Sequence, residues 1–557
     1  MAALAAVALY ARTVGFGWVY DDQMEVARNA FVTSLTYLPR VFATTVWAGS
    51  GMETFLYRPL AIVTYQINHV VSGSAPWSYH LANVFLHAGA AAMVVRLGAA
   101  WGLSRVAAGV AGVVFAVHPI HVEAVAPVFG RKDLLATLFL LGMLLAHRGA
   151  VARGGWRAWA APLLFLAAML SKEVGVVGVA VVAVQDLFLE QDRRAFLSRR
   201  RVPLLYASYL MAAAAYLAAR TLVTGGLAIP DTAYFDNPLV SAPAAARLAT
   251  AWVVVARGVG LLLLPVGQSP DYSFDAIPVV ASVADPRLVA ALAGTGVVAA
   301  LLAFRRTRRR PLPLGVVWYA LAILPTANLL LVSGTIFAER TLYLPSVAFS
   351  LLAGAGAGWL VARHPRAGWG AVGVVLVALS LQAVRYTAAW RDDVTLFRRA
   401  VEAVPTSTKA HHKLGEELLR RGELEPALAS LHRALEIAPE NAWAAETLAV
   451  ARSHAADRYL AGAREGRLPD GAEILYALGA VALERGERTL AVEAVERAVA
   501  ADPALARGWL TLALLRRADG DVEGEDDALR RFLETAEGRY PDQEAAVRAQ
   551  LGARSPR

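Results

Sequence analysis

Two adjacent carboxylates, Asp21 and Asp22, follow directly on the first apolar stretch of the chain. At a membrane face such a pair can bind a divalent cation, or one member can take a proton as a general base. A solvated helix cap would use the same residues. Further along, His118, His121 and Glu123 form an H-x-x-H-x-E run. Its spacing could set both imidazoles on one helical face as metal ligands. Pro119 interrupts the run, and hydrogen-bonded interfacial histidines are the plainer alternative. His80, Asn83 and His87 recur at helical spacing on another segment. Three cations, Arg131, Lys172 and Arg340, each lie beside or near an acid: Asp133, Glu173 and Glu339. Arg58 stands in a long aromatic-rich segment after the acidic pair. Local ion pairing accounts for these cations, and so does a phosphate clamp for a lipid-linked donor, since guanidinium and ammonium groups suit phosphate.

These residues need helices to position them. The chain is 57% hydrophobic and only 18% charged, and the apolar share is concentrated before residue 387. A bilayer crossing takes about 20 mostly apolar residues. Candidate crossings lie near 1–19, 80–98, 105–119, 133–147, 157–171, 174–190, 203–220, 286–304, 314–333, 341–362 and 368–386. The first is read as a transmembrane helix rather than a signal peptide, because it lacks a basic leading region. The segment 246–266 carries Arg257 in its middle, a costly charge at mid-bilayer unless it faces protein or water.

Arginines group around residues 96–105, 148–157, 193–201, 305–310 and 363–366. Positive charge favours the cytoplasmic side. All five groups fall on one side if 246–266 re-enters or forms two half-helices. That predicts about 11 crossings, with the acidic pair and the C-terminal part outside. A simple crossing at 246–266 would reverse the side of the C-terminal part. The net charge of +9 therefore reads as membrane topology, and a nucleic-acid partner is not expected. The absence of Cys excludes disulfides, thiol nucleophiles and thiolate metal sites.

The C-terminal part changes character. Leu414, Gly415, Gly422, Ala427, Ala434 and Pro439 recur as Leu478, Gly479, Gly486, Ala491, Ala498 and Pro503. This is the small-and-large pattern of tetratricopeptide hairpins. A shortened unit is expected at about 442–471, and a degenerate one at Leu512 and Gly520. The predicted fold is all-α: a polytopic transmembrane bundle at 1–386, a linker or entry helix at 387–407, three to four repeats at 408–540 and a tail at 541–557. Such an array commonly presents a concave surface to a protein or peptide.

Taken together, WVYDD, YRPL (57–60), YHLANVFLH (79–87), FAVHPIHVEAV (115–125), GRKDLL (130–135), SKEVG (171–175), ERTLYLPS (339–346) and WRDDVTLF (390–397) resemble one group. In this order, before a repeat array, they are similar to the TMTC-type protein O-mannosyltransferases of the GT-C glycosyltransferase class. The resemblance implies inverting transfer of mannose or a similar hexose from a polyprenyl-phosphate carrier to Ser/Thr hydroxyls of extracytoplasmic proteins. It implies a catalytic role for Asp21 and Asp22, one of them as base, with a divalent cation as the other use of the pair. No cofactor beyond that cation is expected. Arg58, Arg131, Lys172 and Arg340 are the candidates for the donor phosphate. His80, His118, His121, Glu123, Asp133, Glu173 and Glu339 complete the candidate site, and the array would bind the acceptor. The Ala/Arg/Gly-rich composition and short loops suggest a bacterial version in an inner membrane, with the site and the array outside. A non-catalytic scaffold working through the array is the second reading, and a transporter the third.

Overall fold

The computed structural model describes residues 1–190, 196, 199–226, 232–303 and 312–554. Arg193, Arg194, Asp231 and the cluster Arg305–Arg310 lie outside the described residues. The described residues form helices joined by turns, with no strand among them. They divide into two compact units. The first is Met1–Ser273 with Ile277–Arg399, and the second is Phe274–Ala276 with Ala400–Arg557.

The first unit contains α1 (Ala2–Tyr10), α2 (Pro59–Ser72), α3 (Trp77–Ala100), α4 (Arg105–Val117), α5 (Arg131–Arg153), α6 (Arg157–Ser171) and α7 (Gly178–Leu189). It continues with α8 (Arg201–Thr224), α9 (Ala244–Leu263), α10 (Pro286–Ala303), α11 (Leu312–Ile323), α12 (Ser346–Arg363), α13 (Pro365–Thr387) and the start of α14 (Asp393–Ala403). Among the described residues, seven helices are long and apolar enough to cross a membrane, built on α3, α5, α8, α9, α10, α12 and α13. A pair bent by 49°, Arg105–Val117 with Pro119–Val125, makes an eighth candidate. Ala2–Gly15, Arg157–Ser171 and Leu312–Thr326 are shorter apolar helices.

Two expectations need correction. The crossing expected at 174–190 is a 3-10 turn followed by the 12 residues of α7. At 1.5 Å per residue that is about 18 Å, too short to span. The segment 246–266 is not a pair of half-helices, because α9 is one unbroken helix of 20 residues. Its flanks nevertheless return to one loop. Before α9, the Asp236 carbonyl accepts from Ile336 N–H at 3.3 Å. After it, Gln268 and Ser269 bond to Glu339.

Small residues let the helices approach. A Cβ at Gly354 would stand 2.4 Å from the Ala107 carbonyl and 2.6 Å from the Ala111 Cβ, so α12 and α4 touch backbone to backbone. Lys172, just after α6, meets Asp133 in the first turn of α5. His121, in the turn after α4, meets Ser346 at the start of α12. Candidate residues from distant segments are brought together at these ends and in the turns beside them.

The second unit holds three antiparallel hairpins. They are α15 (Thr408–Arg420) with α16 (Leu424–Ile437), α18 (Ala472–Glu484) with α19 (Arg488–Ala501), and α20 (Ala506–Ala518) with α21 (Val522–Ala536). Between the first two hairpins lies α17 (Ala442–Arg464), and α22 (Pro541–Arg554) follows the last. The shortened unit expected at 442–471 is thus a single helix of 23 residues. Gly422, Gly486 and Gly520 end the first helix of each hairpin with φ of +77°, +76° and +74°. That left-handed conformation strains residues with a Cβ, which explains the recurrence of glycine. Gly415 and Gly479 admit Leu431 and Val495 at corresponding points of two hairpins.

Candidate functional site

The acidic pair is split by its turn. The Asp22 side chain is fully buried. Its Oδ2 accepts from the Val19 and Val128 N–H groups at 3.2 Å each, and its Oδ1 accepts from Phe129 N–H at 2.6 Å. Both oxygens are occupied, so Asp22 ties the first loop to the start of α5. Burial pushes its carboxyl up to about 8, against the pull of the three N–H donors. Asp21 is only half-buried, and no side chain or backbone N–H among the described residues bonds to its carboxylate. The preceding residue, Tyr20, has φ of +54°, a strained value for an aromatic residue. Asp393, at the start of α14, holds this turn by accepting the Tyr20 N–H at 2.6 Å.

The cations around the pair are already matched with acids. Arg58 grips Glu173 with two parallel bonds, at 2.9 and 2.5 Å. Burial alone would raise the Glu173 carboxyl, but the Arg58 charge outweighs it and holds the group well below the usual carboxylate range. Lys172 meets Asp133 at 2.6 Å, and Lys132 meets Glu25 at 2.6 Å. Arg340 pairs with Glu123 through its guanidinium, and its backbone N–H donates to the same carboxylate at 2.9 Å. Burial would lower the Arg340 pKa, yet Glu123, Asp21 and Asp133 together raise it. Its guanidinium lies 5.3 Å over the Phe129 ring, and Phe129 packs edge-on against Tyr20. The structure thereby brings Asp21, Glu123, Asp133 and Arg340 into one electrostatic group. Arg58, Lys172 and Glu173 belong to the same field through Asp133.

Arg131 is set apart. It is fully buried, and its donors are spent on Asn83, Thr64, Asn68 and the Tyr79 carbonyl, with the Tyr65 ring 4.7 Å below. It packs the interior between α2, α3 and α5 rather than facing a ligand.

The histidines do not form a metal centre. The bend at Pro119 sends the run to three different partners. His118 donates through Nε2 to the Leu262 carbonyl at 2.9 Å. His121 Nε2 meets Ser346 Oγ at 2.7 Å, and Glu123 holds Arg340. His80 lies 2.9 Å from the Ala126 carbonyl, and His87 lies 2.7 Å from the Tyr343 hydroxyl. Among the described residues no group of three His, Asp or Glu is arranged for a metal ion. A cation shared by Asp21 and Asp22 does not fit either, since backbone donors hold both Asp22 oxygens.

Glu339 is buried and anchors the loop after α9. It accepts from Gln268 at 2.7 Å, from Ser269 N–H at 3.0 Å and from the Tyr272 hydroxyl at 2.6 Å. Burial pushes its carboxyl up to about 8, and the nearby Glu123 adds to the shift. Sequence reasoning missed Lys132, Gln268, Tyr272 and Asp393 as members of this region. Lys132 carried a signal, because it sits inside GRKDLL, where successive helical positions point about 100° apart and so reach different partners.

Residues 226–299, which include α9 and the Glu339-anchored loop, match the family segment described as protein O-mannosyl-transferase TMTC, DUF1736. Human protein O-mannosyl-transferase TMTC4 is 30% identical over 76% of the chain. The chain thus resembles the TMTC protein O-mannosyl-transferases over most of its length. Mouse TMTC3 is 26% identical over 78% of the chain, and mouse TMTC2 is 28% identical over 77%. The chain spans 64%, 50% and 61% of the lengths of these three relatives.

Proposed function

We propose that this chain is a TMTC-type membrane glycosyltransferase. It would move mannose or a similar hexose from a polyprenyl phosphate to Ser/Thr hydroxyls of extracytoplasmic proteins. The names of its relatives support protein O-mannosylation. The observation that carries the mechanism is the contrast within the acidic pair. Asp21 is accessible and unbonded among the described residues, whereas Asp22 is sealed by three backbone donors.

In this reading Asp21 accepts the proton of the acceptor hydroxyl as its oxygen attacks the anomeric carbon. The bond from that carbon to the phosphate oxygen breaks, and its electron pair leaves with the phosphate. Attack from the face opposite the leaving group inverts the anomeric centre. Arg340, with Lys172 and Arg58 behind it, supplies positive field where the phosphate gains charge. The second unit would present the acceptor from the same side of the membrane, in an inner-membrane setting.

The test is transfer by purified full-length protein, using radiolabelled polyprenyl-phosphate mannose and extracytoplasmic acceptor protein. Wild type should label the acceptor, and Asp21→Asn should lower the rate by about 10²–10⁴-fold. A protein that labels nothing, yet loses its cellular role only when the repeat array is deleted, would be a scaffold.

A further inference from the structure

The cations of the acidic cluster are held by carboxylates, but Arg257 is not. It lies on α9 within the apolar run AWVVVARGVGLLLL. Its side chain is exposed, and among the described residues it has no ion pair or hydrogen bond. Its one defined neighbour is the Tyr272 ring, with the guanidinium 5.1 Å from the centroid. Tyr272 donates to Glu339, and Glu339 directly precedes Arg340. A single aromatic ring thus links the unpaired cation to the candidate catalytic cluster.

The surroundings of Arg257 on α9 and just beyond are apolar and uncovered. Val259, Leu263, Leu264 and Val266 are 38%, 70%, 65% and 58% exposed. A guanidinium on such a strip is costly unless it meets an anion there. One unpaired cation beside an apolar strip is the complement of a lipid carrying one phosphate. A guanidinium that only reached the headgroup layer would need no stacking partner tied to the cluster.

We propose that Arg257 captures the phosphate of the lipid-linked donor, with the isoprenoid chain lying along the exposed strip at the C-terminal end of α9. This rests on the glycosyltransferase reading above. It also supplies what the other cations lack, a charge with no ion pair among the described residues, because Arg58, Lys172 and Arg340 already hold Glu173, Asp133 and Glu123 and act on the phosphate only through the field of the cluster. The charge that makes 246–266 an awkward membrane segment then becomes its binding group.

The test is lipid binding by full-length protein in phosphatidylcholine nanodiscs, read by native mass spectrometry. The probes are undecaprenyl monophosphate, neutral undecaprenol and phosphatidylglycerol. Wild type should prefer the polyprenyl phosphate over both others. Arg257→Gln should weaken the phosphorylated lipid by about 10- to 100-fold, the worth of one charge-assisted contact, and leave undecaprenol unchanged. Arg257→Lys should fall between. Asp21→Asn should bind as wild type does while losing transfer. If Arg257→Gln binds the phosphate as tightly as wild type, Arg257 is not the capture residue, and the assignment of Asp21 still stands. Equal binding of phosphatidylglycerol would make Arg257 a general headgroup anchor and overturn the inference. If Asp21→Asn transfers normally while Arg257→Gln loses binding, the catalytic reading fails and the lipid site survives.

Discussion

The split within the acidic pair leads to opposite expectations for two chemically identical substitutions. In Asp22→Asn, one oxygen is replaced by an amide NH2. The remaining oxygen can keep the Val19 and Val128 bonds, or it can keep the shorter Phe129 bond, but not all three. In either orientation the new NH2 faces at least one backbone N–H. In the better orientation, which keeps Val19 and Val128, two buried donors are left without acceptors, the Phe129 N–H and the new NH2; at about 1–3 kcal/mol each, the loss is about 2–6 kcal/mol. Asp21→Asn disturbs no bond among the described residues and should stay within about 0.5 kcal/mol of wild type. The 13 tryptophans make fluorescence a convenient readout for thermal unfolding in detergent. Asp22→Asn should lower the midpoint clearly, with Asp21→Asn superimposed on wild type. Equal shifts for the two variants, or a larger one for Asp21→Asn, would refute the assignment of structural and chemical roles.

Three further outcomes follow from the geometry. Asp393→Ala removes the acceptor that holds the strained Tyr20 turn, so transfer should fall by about 10²-fold through misplacement of Asp21. Asp393→Asn keeps an acceptor and should retain most activity, and equal loss in both variants would argue against positioning. Glu339 has a carboxyl raised from 4.5 to about 8, so the folded protein holds its proton more tightly than the unfolded chain across that window. Its contribution to stability therefore falls as pH rises from about 4.5 to 8. Glu339→Gln is uncharged at every pH, so whatever the lost acceptor costs, its deficit in melting midpoint relative to wild type should shrink between pH 6 and pH 8.5, and parallel curves would contradict this. Gly354→Val should cost about 1–3 kcal/mol or more by forcing α12 off α4, whereas Gly356→Ala, with open space at its Cβ, should melt as wild type does.

The repeat array was readable from sequence because its rules are local. A glycine that must take positive φ recurs at Gly422, Gly486 and Gly520 whatever lies elsewhere in the chain. The apolar helices and the short candidate motifs were legible for the same reason, since hydropathy and motif spacing are properties of neighbouring residues. The shortened unit expected from residue 442 is one helix of 23 residues, and spacing alone does not say whether such a stretch folds back on itself. Which carboxylate of Asp21–Asp22 is free depends on backbone donors about 106 residues away, and no local pattern encodes them. The same holds for Arg131, whose partners Asn68, Asn83 and Tyr79 bury it, and for Arg257, which is left unpaired on an apolar helix. The sequence by itself determined which charged groups exist and on which helices they stand. Only the tertiary structure decided which of them are neutralised in place and which remain open to a ligand, because pairing is set by contacts between distant segments.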